Sequence, residues 1–148
     1  EVCAVLTADC LPNLICDKAG TRIAAVHAGW RGLLAGVIEA ALEKLKIPGS
    51  ETLIWLGPAI GPNAFEVGEE VRSQFIERDP LTEAAFQRGS SNRWLLDIYR
   101  LASIRLTIKG VSQVYGGDWC TFTDREHFYS YRRDGVTGRM ASLIWIDS

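Results

Sequence analysis

The sequence predicts an α/β domain of the layered α+β kind, with a mixed β-sheet core flanked by helices. Three observations predict it. Apolar runs of strand length recur along the chain, and stretches of helical period lie between them. The two kinds alternate with no internal repeat, low-complexity tract or linker, the pattern of a layered domain. The 148 residues fit one domain over 1–148.

Taken in order, Val2–Leu6 and Leu11–Cys16 are apolar runs of strand length, and the first reads as an interior strand. Asp17-Lys18-Ala19-Gly20 is a turn signal, and Arg22–His27 is a third strand, so these short runs predict a sheet. The clearest helix follows. Leu33, Leu34, Val37, Ile38, Ala41, Leu42 and Leu45 recur at three- and four-residue spacing, which predicts one helix from Arg31 to Lys46, stopped by Pro48-Gly49. Its apolar stripe should pack on the sheet.

Thr52–Leu56 is the next strand and feeds the loop Gly57-Pro58-Ala59-Ile60-Gly61-Pro62. A second helix is expected over Val67–Arg78, with Val67, Val71 and Phe75 on one side, and a short helix over Leu81–Gln87. Gly89–Asn92 is a polar loop. Asp97–Lys109 reads as a further helix with Ile98, Leu101, Ala102 and Ile108 inward, and Val111–Tyr115 and Ser142–Ile146 read as strands.

Composition narrows the class. Apolar content of 47% and charged content of 23% are those of a globular chain able to bury a core. A net charge of −2 with scattered Lys and Arg lacks the basic footprint of a nucleic-acid binder. No apolar run approaches the roughly 18 residues that span a bilayer, and no targeting segment is legible. Cys3, Cys10, Cys16 and Cys120 form no C-x-x-C pair and read as reduced thiols in a cytoplasmic protein. Cys3 and Cys16 fit a buried core role. A strand that starts at Val2, without a polar lead-in, predicts that a piece of a longer protein lies upstream.

Two segments concentrate the chemistry: Thr7-Ala8-Asp9-Cys10-Leu11-Pro12 and Val26-His27-Ala28-Gly29-Trp30-Arg31-Gly32. A hairpin-like return between them would bring Cys10 and His27 together. A thiolate and an imidazole suit zinc or copper, and equally a nucleophile–base pair. His127, among Arg125, Glu126 and Phe128, reads as a surface residue. Arg31, Arg132 and Arg133 are candidate anion clamps, Arg31 the strongest because it opens a helix. The Gly57–Pro62 loop is neither a Walker loop nor a dinucleotide fingerprint, but a rigid turn. Trp30, Phe65, Tyr129 and Tyr131 are candidates to stack on a purine or another flat ring.

Four blocks, in this order along the chain, resemble one family. They are the two segments above, then Gly57–Pro62 with Phe65-Glu66-Val67-Gly68, and then Phe128-Tyr129-Ser130-Tyr131-Arg132-Arg133-Asp134 with Thr137-Gly138-Arg139. The chain resembles the YfiH family, also described as laccase-like polyphenol oxidases, purine nucleoside phosphorylases or peptidoglycan editing factors. The resemblance implies a zinc site, open to copper in some members, of one Cys and two His. Cys10 and His27 match two of these ligands. The third belongs to an upstream motif that this chain does not contain, so the family's N-terminal portion is expected to be missing.

The implied partners are a purine nucleoside and phosphate, with neither nucleic acid nor membrane, in a monomer or small homo-oligomer. The implied chemistry is phosphorolysis of adenosine, inosine and methylthioadenosine to the base and ribose 1-phosphate, together with adenosine deamination by a zinc-bound water. Arg31 is the first expectation for holding phosphate and Asp9 for shuttling a proton beside the metal. An alternative uses Cys10 as a thiolate nucleophile with His27 as its base. Copper-dependent phenol oxidation and a non-catalytic metal-binding or peptidoglycan-editing role are the rival readings.

Overall fold

The computed structural model describes residues 1–147. Strands β1 (Val2–Thr7), β2 (Leu11–Asp17) and β3 (Ile23–Ala28) come first, then helices α1 (Trp30–Ala35) and α2 (Val37–Leu45). Next are β4 (Thr52–Leu56), β5 (Glu66–Val67), α3 (Glu69–Arg78), β6 (Phe86–Arg88), β7 (Trp94–Leu96) and α4 (Ile98–Ile108). The chain closes with β8 (Gln113–Gly116), α5 (Tyr131–Asp134) and β9 (Met140–Trp145).

The central sheet is mixed, as expected, with order β3-β2-β4-β8. Strand β2 runs antiparallel to both β3 and β4, and β4 runs parallel to β8. Period-two alternation selects its core face. Leu11, Asn13 and Ile15 of β2 and Thr52, Ile54 and Leu56 of β4 are all at most 2% exposed. Helix α2 packs on β3, and α4 covers its own buried row of Ile98, Leu101, Ala102 and Leu106. No described helix is long and apolar enough to cross a membrane.

Several expectations are corrected. The first three strands do not share one sheet: β1 pairs antiparallel with β9, in register from Val2↔Trp145 to Thr7↔Met140. Strand β1 is not interior either, because Val2 and Leu6 are 61% and 59% exposed. With Leu143 and Trp145 they form an outward apolar face. The helix over Arg31–Lys46 is two helices. Gly36 stands between them at φ 89°, where only glycine sits without strain, and the apolar spacing continues past the break.

Val67 lies in strand β5, and helix α3 begins two residues later. The short helix expected over Leu81–Gln87 is a 3-10 turn over Pro80–Ala85 followed by strand β6. Asp79 caps that turn by accepting from the Leu81 N–H. Ile108, at the last turn of α4, is 54% exposed instead of inward. Cys3 and Cys16 are half-buried rather than core, and all four thiols are free.

Candidate active site

The β2–β3 hairpin sets the geometry of the site. Leu11 pairs with Ala28 and Pro12 with His27. Cys10 thus precedes the hairpin's open end and Gly29 follows it. A Cβ on Gly29 would lie 2.9 Å from Cys10 Sγ, so only glycine lets the sulfur sit there. Cys10 and His27 line one cavity of about 320 Å³, a size suited to a small organic ligand.

The cavity walls are mainly apolar. Trp30 enters from the start of α1, Phe65 and Ile60 from the segment after β4, and Tyr131 from α5. Three arginines stack on three of these aromatics. The Arg31 guanidinium lies 4.5 Å from the Trp30 ring centroid, Arg132 5.4 Å from Phe65 and Arg139 6.0 Å from Tyr131. All three arginines are exposed, but Arg132 and Arg139 line the cavity and Arg31 does not. Arg132 is steadied by donating from Nη1 to the Glu66 carbonyl at 2.9 Å.

Asp9 connects the pieces. It adopts φ 104°, a sparsely populated conformation for a residue with a side chain. Its carbonyl accepts from the Ile60 N–H at 2.9 Å. Oδ1 accepts from the Thr121 hydroxyl at 2.6 Å and Oδ2 from the Arg132 N–H at 2.7 Å. Burial pushes the Cys10 thiol above its ordinary value, the Asp9 charge adds to that, and Arg139 opposes it.

Arg133 is not an anion clamp. Its guanidinium is spent on the carbonyls of Thr121, Phe122 and Phe128 and on Asp134. Its side chain is only 8% exposed, so it staples the segment that carries Tyr131 and Arg132. His127 is on the surface, its side chain 71% exposed and paired with Asp124. Tyr129 is exposed and its ring packs beside Gly138, away from the lining residues. Sequence reasoning did not single out Arg139, although it lies in the fourth motif block. It had no signal at all for Thr121, whose link to Asp9 spans 112 residues.

A thiol and an imidazole are the donor types that zinc and copper take. Cys10 and His27 fit in type but are one ligand short of the three protein donors of a catalytic zinc. Among the described residues, no group of three His, Cys, Asp or Glu side chains is placed to hold a metal ion. The arrangement as it stands offers apolar walls for a flat ring and, at the same cavity, two guanidinium groups for an anion.

Comparison with known proteins places the chain. The family model described as multi-copper polyphenol oxidoreductase laccase matches residues 1–147. A Pseudomonas aeruginosa protein named purine nucleoside phosphorylase is 57% identical over 97% of this chain and 60% of its own length. The Escherichia coli protein named purine nucleoside phosphorylase YfiH is 58% identical over 98% of this chain and 59% of its own length. A crystal structure of a Neisseria meningitidis protein superposes with a TM-score of 0.97 at 52% identity, over 99% of this chain and 61% of that one. YlmD from Geobacillus stearothermophilus superposes at 0.90 with 28% identity, over 99% of this chain and 57% of that one. The chain therefore spans about three fifths of the length of the proteins it matches.

Proposed function

This chain belongs to the multi-copper polyphenol oxidoreductase laccase family, the YfiH proteins, and on that premise we propose that it carries the nucleoside and phosphate sites of a purine nucleoside phosphorylase. The observation that carries the reading is the pairing of identity with geometry. Relatives at 57–58% identity bear that name, and the cavity joins ring-stacking walls to two guanidinium groups. Adenosine, inosine and methylthioadenosine are the substrates, with phosphate as the second reactant.

The purine stacks among Trp30, Phe65 and Tyr131. Arg132 and Arg139 hold the phosphate, their planar guanidinium groups offering paired donors to its oxygens. A phosphate oxygen forms a bond to the anomeric carbon as the bond from that carbon to the purine nitrogen breaks. The electron pair leaves on the purine, which takes up a proton, and ribose 1-phosphate remains. Arg31 is the third cation near the site. Because it stands outside the lining residues, its loss should matter less than that of Arg139.

Zinc, or copper in its place, would take Cys10 and His27 as two of its ligands and would supply the activated water that adenosine deamination needs. The family's description also keeps phenol oxidation as a second reading. This chain brings a single imidazole to the cavity, which is little for multicopper chemistry. A cytoplasmic, monomeric or small homo-oligomeric enzyme completes the proposal.

The test incubates full-length protein with adenosine and phosphate and separates the products chromatographically. Adenine with ribose 1-phosphate, lost in Arg139→Ala, supports the reading. Inosine instead would favour deamination. Neither product at any zinc or copper loading, with turnover of a phenol, would replace it by the oxidase reading.

A further inference from the structure

We infer that Asp9 is a positioning residue, which fixes the Arg132 main chain against the β1–β2 connection by hydrogen bonding and carries no proton in turnover. The inference rests on the phosphorylase reading above and departs from the shuttle expected from sequence. Three contacts carry it. The Asp9 carbonyl takes the Ile60 N–H at 2.9 Å, Oδ1 takes the Thr121 hydroxyl at 2.6 Å, and Oδ2 takes the Arg132 N–H at 2.7 Å.

These partners lie 112 and 123 residues away for the two carboxylate oxygens. One side chain, 9% exposed, thus ties the β1–β2 connection to both ends of the segment that brings Tyr131 and Arg132 to the cavity. Thr121 is fully buried, so its hydroxyl has no water to fall back on. Both carboxylate oxygens are turned to fixed donors of the fold. Asp9 also keeps a backbone conformation that disfavours a side chain, which points to a side chain held there for its bonds.

A positioning role and a proton-carrying role separate on one substitution. In Asp9→Asn the amide oxygen can accept from the Arg132 N–H, while its NH₂ donates to the Thr121 hydroxyl, which also accepts. The bond to the Arg132 main-chain N–H survives, the Thr121 hydroxyl turns from donor to acceptor, and the carboxylate is gone. Asp9→Ala removes both bonds. Thr121→Val removes one bond without touching Asp9.

The experiment uses full-length protein and two readouts. In phosphorolysis of adenosine, Asp9→Asn should stay within about threefold of wild type in kcat, while Asp9→Ala should raise KM for phosphate by about tenfold or more, with Thr121→Val between them. In hydrogen exchange without substrate, the peptide carrying the Arg132 amide should exchange faster in Asp9→Ala and in Thr121→Val, and as wild type in Asp9→Asn. The inference is overturned if Asn loses kcat by the 100-fold or more typical of a general acid or base, while its exchange matches wild type. It is overturned equally if neither Ala nor Val alters exchange at Arg132. Should Asp9→Ala fail to fold, Asp9→Asn and Thr121→Val still decide it. Exchange reads the positioning even in a protein that cleaves no nucleoside, so failure of the inference and failure of the phosphorylase reading remain distinct.

Discussion

Replacing Arg133 by Ala should unfold the protein more readily without acting first on phosphate. The guanidinium donates to the carbonyls of Thr121 at 2.9 Å, Phe122 at 3.1 Å and Phe128 at 2.9 Å. With the side chain 8% exposed, water cannot readily replace it. At about 1 kcal/mol net for each bond, the loss comes to about 3 kcal/mol. For an m-value of about 2 kcal/mol/M in urea, that lowers the unfolding midpoint by about 1.5 M.

Equilibrium urea unfolding of the full-length protein, followed by tryptophan fluorescence, reads the shift. Arg133→Lys keeps the charge but cannot fork across three carbonyls, so it should recover less than half of the loss. Asp134→Ala should lower the midpoint clearly less than Arg133→Ala, because the Asp134 side chain is 34% exposed and the three carbonyl bonds remain. If Arg133→Ala unfolds like wild type, or if Asp134→Ala falls as far as Arg133→Ala, the staple reasoning is wrong. A free anion clamp would do the reverse, leaving the midpoint alone and raising KM for phosphate.

Three other outcomes are expected. Glu39 and Arg105 join α2 to α4 through a 2.6 Å contact with both side chains largely buried, so Glu39→Ala should cost about 3 kcal/mol by urea unfolding, and Glu39→Leu with Arg105→Leu clearly less. Burial pushes the Tyr99 phenol up to about 12, and its oxygen accepts from the Ala59 N–H and donates to the Trp119 carbonyl. Alkaline absorbance titration should therefore show one tyrosine ionising late, and Tyr99→Phe should remove that step and cost about 1–3 kcal/mol. The hydrogen bond to Asp124 raises the His127 pKa, so proton NMR should show it titrating above the ordinary value of about 6.5, and Asp124→Asn should bring it down. Its raised pKa means that any stabilisation is full below the unfolded value and fades as pH rises through the folded one. On so exposed a side chain, the thermal midpoint should barely follow it.

What the sequence made legible was local. Strand β4 alternates over five residues and is found as read, and the turn between β2 and β3 foretold that Cys10 and His27 would meet at one cavity. Helical spacing ran unbroken through Gly36, so the break between α1 and α2 left no mark in the apolar pattern. The pairing of β1 with β9 joins the two ends of the chain, and no local period encodes it. Arg133 looks like any solvated arginine until three carbonyls, from residues 5 to 12 positions before it, converge on it. The same holds for Asp9, whose carboxylate partners are legible only in three dimensions.

The most direct measurement is a crystal structure of the full-length protein with inosine and sulfate bound. The account predicts the purine among Trp30, Phe65 and Tyr131, and the anion within reach of Arg132 and Arg139. A nucleoside bound elsewhere, with the Cys10–His27 cavity free of it, would contradict the assignment of this cavity as the place where the glycosidic bond is cleaved.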